Sequence, residues 1–76
     1  IPVEIVESLC DRAAALEGRN GSYGVALEID GFRKSCTPWD ARRLARALSG
    51  SHAGAPLVVE LFELARQHGG LKAIWP

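Results

Sequence analysis

The segment TPWDARRLARAL, residues 37–48, limits the possible folds of this chain more than any other stretch. Thr37 is a preferred helix N-cap, Pro38 suits the first helical position, and Asp40 occupies the capping-box position. Asp40 also suits the positive end of the helix dipole. Apolar residues then recur at three- and four-residue intervals: Ala41, Leu44, Ala45 and Leu48. The segment therefore predicts an amphipathic helix with one buried stripe, and Gly50 is placed to end it.

Two further helices are predicted, one on each side of this segment. The first begins near Pro2 and carries one apolar stripe, made of Val3, Val6, Leu9, Cys10, Ala13 and Leu16. The other begins near Pro56 and ends at Gly69 and Gly70. Its apolar residues cover more than one stripe: Leu57, Val58, Val59, Leu61, Phe62, Leu64 and Ala65. Such a wide surface predicts burial on two sides, against either a second subunit or the rest of the same chain.

Residues 22–37 predict a β-hairpin. Apolar residues alternate at Tyr23, Val25, Leu27 and Ile29, which is strand periodicity. Asp30-Gly31 is typical of a two-residue type I′ turn. In this register Glu28 faces Arg33 as a cross-strand ion pair, and Lys34 lies opposite Leu27. Ile29 then faces Phe32, and Val25 faces Cys36.

These elements predict one α+β domain over residues 1–76, with the hairpin packed on about three helices. Residues 71–76 are either a third strand or a loose end. A domain of this size buries only about 60% of the surface of its unfolded chain, and dimerisation is a common remedy. Exposed strand edges also offer a site for a second copy. We therefore expect a homodimer.

Charge and cysteine content narrow the class of protein. Nine basic and nine acidic residues cancel, so the net charge gives no pull toward nucleic acid or an anionic membrane. No apolar run approaches the roughly 18 residues that a membrane-spanning helix needs. The two cysteines, Cys10 and Cys36, are expected to be free and mostly buried thiols. A cytoplasmic protein that does not bind membranes is therefore predicted.

Arg42, Arg43 and Arg46 lie off the apolar stripe of the helix over residues 37–48. Arg42 and Arg46 are one turn apart, so they can present one basic surface that neutralises phosphates. The alternative is a solvated helix face partly paired with acidic residues, which the zero net charge favours. The upstream hairpin also differs from the first helix of a helix-turn-helix. The second hypothesis for function is nucleic-acid binding, in which a dimer presents these arginines from both of its subunits.

Three aromatic residues are candidates for contact with a partner protein: Trp39, Phe62 and Trp75. Trp39 lies in the first turn of its helix, just off the apolar stripe. An exposed Trp there would suit a binding hot spot, whereas a buried one would cap the open end of the core, which is the favoured interpretation. Trp75 would anchor the C-terminal residues on the domain or on a second subunit.

The sequence offers little catalytic chemistry. His52 lies in a glycine-rich segment and His68 near the end of a helix, and neither has metal ligands at suitable spacing. A Cys–His nucleophile pair has no local motif to support it. The segment GSHAGAP follows a helix, so it is not a phosphate-binding loop. We therefore predict no catalytic residues, no metal and no cofactor.

The segment VALEIDGFRKSCTPWDARRLARAL, residues 25–48, resembles a pattern in small actinobacterial and actinophage proteins. That pattern is a strand, a short turn, a second strand, and then a helix that begins T-P-x-[DE]-A-x-x-L-A. The resemblance covers about a third of the chain. It implies a bacterial or phage host and a small accessory role, and it carries over no functional residue. A non-enzymatic protein that binds another protein is the leading hypothesis for function.

Overall fold

A computed structural model describes residues 1–17, 23–50 and 54–69. These residues form four α-helices: α1 (Val3–Glu17), α2 (Tyr23–Ser35), α3 (Pro38–Leu48) and α4 (Ala55–Gln67). α2 and α4 both pack against α3, and α1 packs against α2 and α4. The helices thus form a ring in which the contact between α1 and α4 is the least extensive. The described part of the chain is all-α, so the predicted α+β class is wrong.

α2 occupies the place of the predicted β-hairpin. Val25, Ile29 and Phe32 follow one another at four- and three-residue spacing, and all three side chains are buried. Leu27, which the strand pattern placed beside them, is 53% exposed. Gly31 lies inside the helix and not in a turn. The hairpin prediction is wrong because the buried residues of this segment recur with the period of a helix. The alternating pattern before Asp30 would have buried every second residue, including Leu27.

The predicted cross-strand ion pair between Glu28 and Arg33 is also wrong. Both residues lie on α2, and each pairs with a neighbouring helix. The charged residues of α2 pair as follows: Glu28 with Arg43, Arg33 with Glu7 and Asp11, and Lys34 with Asp30. Arg33 therefore links α2 to α1, and Glu28 links α2 to α3.

α3 begins as its sequence predicts. The Thr37 hydroxyl accepts a hydrogen bond from the Asp40 backbone N–H at 3.2 Å. In a capping box the Asp40 side chain would accept a hydrogen bond from the Thr37 backbone N–H. That N–H instead donates to the Ser35 hydroxyl at 3.2 Å. A local N-cap thus fixes where α3 starts, immediately after α2 ends.

The turn between α2 and α3 is held by a residue in the left-handed region. Cys36 has a φ of 54°. Its backbone N–H donates to the Phe32 carbonyl at 2.9 Å, which closes the C-terminus of α2. The backbone nitrogen of Ile1 donates to the Cys36 carbonyl at 3.0 Å, so the start of α1 is tied to the same turn.

The core lies between the four helices and consists of aliphatic and small residues around one aromatic ring. Phe32 is the largest fully buried side chain. The other buried residues come from every helix: Val6, Leu9, Cys10, Ala13, Val25, Ile29, Ala41, Leu44, Ala45, Leu48, Leu57, Leu61 and Ala65. The predicted stripe of α3 is confirmed in full. Two members of the predicted α1 stripe differ, because Val3 is 62% exposed and Leu16 is 42% exposed.

Candidate protein-binding groove

A groove runs along the outside of the domain between α1 and α4. One half is walled by Ile5 and Leu9 of α1 and by Val59 and Leu64 of α4, and its volume is about 490 Å³. In the other half Leu16 faces the start of α4, and the volume is about 380 Å³. The start of α1 therefore lies beside the end of α4, and the two helices run antiparallel. Residues 5–16 span about 16 Å at 1.5 Å per residue, so the groove is about three helical turns long.

The two halves of the groove meet at an ion pair between its walls. The Arg12 Nη1 and Nη2 atoms donate to the Glu60 Oε2 and Oε1 atoms at 2.7 and 2.9 Å. Both residues line both halves. The hydrogen bond to Arg12 lowers the pKa of Glu60, and the same bond raises the pKa of Arg12. Each side chain is about half exposed, so the pair stabilises the fold by about 1 kcal/mol at most.

Three large apolar side chains of the groove are exposed. Val59 is 68% exposed, Leu16 is 42% exposed and Ile5 is 39% exposed. Single exposed apolar residues are ordinary on protein surfaces. These three instead line two adjoining hollows that meet at the Arg12–Glu60 pair, and the buried Leu9 and Leu57 also line them. A concave apolar surface with a few charged side chains is typical of a binding site.

The arginine cluster of α3 is only partly available to a partner. The Arg43 Nε atom lies 3.2 Å from the Glu28 Oε2 atom, so this charge is paired. Arg42 is half-buried. Arg46 is exposed and forms no ion pair with the residues that the structure describes. The three arginines therefore do not form a uniform bare basic surface. The element before α3 is the helix α2 and not a hairpin, so the predicted difference from a helix-turn-helix does not hold on that ground.

The aromatic candidates lie apart from the groove. Trp39 is 44% exposed and Phe62 is 39% exposed. Neither residue lines either half of the groove. Trp75 lies outside the described residues. The wide apolar surface of α4 is therefore divided: Leu57, Leu61 and Ala65 face the core, while Val59 and Phe62 face outward.

The Cys10 thiol is buried, and His68 takes part in a backbone hydrogen bond at the end of α4. Cys10 is buried, its Sγ atom lies 3.6 Å from the Ile29 carbonyl oxygen, and burial raises its pKa to about 11. It is therefore protonated at neutral pH and a poor nucleophile. His68 ends α4, and its backbone N–H donates to the Leu64 carbonyl at 3.1 Å. His52 lies outside the described residues.

The residues that the structure describes contain no group of three or more His, Cys, Asp or Glu side chains that could hold a metal ion. Within the same ranges, no helix has both the length and the hydropathy that crossing a bilayer requires.

The comparisons with known proteins give no family. No protein-family model, no curated protein and no solved structure matches the chain. The resemblance to actinobacterial and actinophage proteins therefore stays a prediction. The strand–turn–strand part of that pattern falls on α2, which is a helix.

Leu9, Leu16 and Val59 of the groove belong to the predicted apolar stripes, whereas Ile5 does not. Ile5 lies four residues before Leu9 and eleven before Leu16, which is helical spacing. Val59 belongs to the wide apolar surface predicted for α4. A prediction that Ile5 and Val59 line one groove requires the antiparallel placement of α1 and α4, which no local sequence pattern specifies.

Proposed function

We propose that this chain is a non-enzymatic protein-binding domain and that the α1–α4 groove is its binding surface. The observation that carries the proposal is the concave apolar surface on which Ile5, Leu16 and Val59 remain exposed. Helix-in-groove recognition uses surfaces of this kind. A small accessory role in an actinobacterial or phage host is part of the proposal, and its support is the resemblance of residues 25–48 alone.

The proposal does not involve catalysis. The Cys10 thiol is buried, and its raised pKa keeps it protonated. We further propose a cytosolic location, which the presence of two free cysteines supports. Homodimerisation also remains a prediction.

The experiment that tests this function is site-specific photo-crosslinking in cells of the source organism. A benzoylphenylalanine side chain replaces Val59 in the groove or, as the control, Leu27 on α2. Both positions are well exposed, and Leu27 lines neither half of the groove. We expect defined adducts with a protein from position 59 and none of these from position 27. Identical adducts from both positions, or none from position 59, would contradict the proposal.

Nucleic-acid binding by α3 is the second candidate function, and the exposed Arg46 is the observation that favours it. It has less support, because Arg43 is paired with Glu28. Its test is the binding of a labelled DNA duplex at low and moderate salt. Affinity that falls steeply with salt, and that is lost in the Arg43→Ala/Arg46→Ala variant, would favour this function over the groove.

A further inference from the structure

The larger half of the groove is acidic. Its lining holds three carboxylates, from Glu4, Glu60 and Glu63, and one guanidinium, from Arg12. Arg12 is fully engaged with Glu60 through two hydrogen bonds. The Glu63 carboxylate likewise accepts two hydrogen bonds from Arg66 on the same helix, so Glu4 is the one lining carboxylate without an ion pair among the described residues.

Glu4 and Glu63 differ in their cationic partners. Glu4 forms no ion pair within the described residues. Glu63 pairs with Arg66, one turn further along the same exposed helix. Such exposed pairs are weak, and Arg66 does not line the groove. A cation entering this half would meet the Glu4 carboxylate directly, and at Glu63 it would compete with the exposed Arg66 pair.

The apolar floor between these carboxylates determines the shape of the occupant. Ile5, Leu9, Val59 and Leu64 form a strip about one to two turns long between two antiparallel helices, and the whole groove over residues 5–16 is about three turns long. A third helix lying in such a groove buries residues at three- and four-residue spacing. Side chains that flank its apolar stripe then lie over the walls of the groove, where Glu4 and Glu63 are.

We propose that the occupant of the α1–α4 groove is an amphipathic helix of another protein, with Lys or Arg flanking its apolar stripe. This inference rests on the proposed function and specifies its partner. The long aliphatic stems of Lys and Arg cover apolar surface while their charged ends reach the carboxylates. Complementary charge at the rim sets the choice of partner and the association rate more than the total affinity.

A second copy of this chain is the competing occupant. A two-fold dimer through this groove would place the same surface of both copies face to face. Glu4 and Glu63 of one copy would then approach those of the other, and like charges at an interface are unfavourable. Nucleic acid is disfavoured for the same reason, because its phosphates would face these carboxylates.

The test is selection from a display library of amphipathic helices of about four turns. The apolar stripe is fixed as Leu, and every flanking position varies among Lys, Glu and Gln. We expect the selected helices to be enriched in Lys. Binding of a selected helix is then measured with the unmodified protein and with three variants. Val59→Asp should abolish binding. Glu4→Gln combined with Glu63→Gln should weaken binding about three- to tenfold.

The third variant, Asp30→Asn, is the matched control, because Asp30 is an exposed carboxylate on α2 away from the groove. It should change the affinity by less than about twofold. Selected helices rich in Glu or Gln that still lose binding with Val59→Asp would overturn the basic partner and leave the proposed function standing. Selected helices insensitive to Val59→Asp, or no selected helix, would overturn both. A dimer in light scattering that Val59→Asp breaks would assign the groove to a second copy.

Discussion

Arg12 of α1 and Glu60 of α4 form a two-point ion pair, with nitrogen–oxygen distances of 2.7 and 2.9 Å. The pair joins the first helix to the last across the least extensive helix contact of the ring. It also separates the two apolar halves of the groove. A partner helix that follows the whole groove must therefore place a small or polar residue over this pair.

The Arg12–Glu60 pair predicts a small dependence of stability on pH. The pKa of Glu60 is lowered from its ordinary value of 4.5, so its contribution is present above that value and is lost as the pH falls through the lowered pKa. Glu60→Gln should lower the free energy of unfolding at neutral pH by less than about 1 kcal/mol. At about pH 3.5 the difference from the unmodified protein should shrink.

The measurement is urea unfolding at both pH values, with Glu4→Gln as the control. Glu4 lines the same groove but forms no ion pair with the described residues, so its substitution should remove only the small interaction of its carboxylate with the positive end of α1. A Glu60→Gln effect of the same size at both pH values would show that the ion pair is not its source.

Gly31→Ala distinguishes the observed helix from the predicted hairpin. Gly31 lies inside α2, and a Cβ atom added there meets nothing within 4 Å. Alanine should therefore stabilise the protein by about 0.5–1 kcal/mol, measured as a higher thermal midpoint. Gly24→Ala, near the start of the same helix, is the control and should have a smaller effect. A loss of stability with Gly31→Ala would indicate positive φ, as a type I′ turn requires.

Cys36 predicts an unusual order of stability for two substitutions. Its φ of 54° is unfavourable for any side chain with a Cβ atom. Both Cys36→Ala and Cys36→Gly lose the sulfur, which makes contact with the core. The glycine variant should nevertheless be more stable than the alanine variant by about 0.5–1 kcal/mol. Chemical denaturation of the two variants side by side measures this difference, and an equal or reversed order would contradict the strained turn.

The Thr37 hydroxyl is expected to contribute to the stability of the protein as the N-cap of α3. Thr37→Ala removes the acceptor for the Asp40 N–H and should cost about 1 kcal/mol. Thr37→Ser keeps the hydroxyl and should retain most of the stability. Thermal unfolding of both variants is the measurement. If serine were as damaging as alanine, the methyl group and not the N-cap would be responsible.

Local signals in the sequence were sufficient for α1, α3 and α4, which lie close to their predicted positions. α3 was the clearest, because Thr37, Pro38 and Asp40 specify its start within three residues of one another. α2 was mistaken because two patterns overlap in it. Val25 and Ile29 satisfy both the strand period and the helix period, and Asp30-Gly31 favoured the strand. Phe32 decided between them through burial against other helices, which is a long-range effect.

The groove could not be predicted from the sequence, for a related reason. Its floor and walls come from the two ends of the described chain, with Ile5 and Val59 separated by 54 positions. The sequence could indicate that α4 has a second apolar side. It could not indicate that α1 would lie next to that side and leave it partly open.

The two glycines of α2 have a consequence for how the domain assembles. Gly24 and Gly31 each cost a helix up to about 1 kcal/mol relative to alanine, and a helix of 13 residues is marginal alone in water. The segment over residues 23–35 is therefore helical because α1 and α3 cover Val25, Ile29 and Phe32. Residues 23–35 therefore become helical only when α1 and α3 pack around them. The helix content of α2 thus depends on whether the tertiary structure has formed.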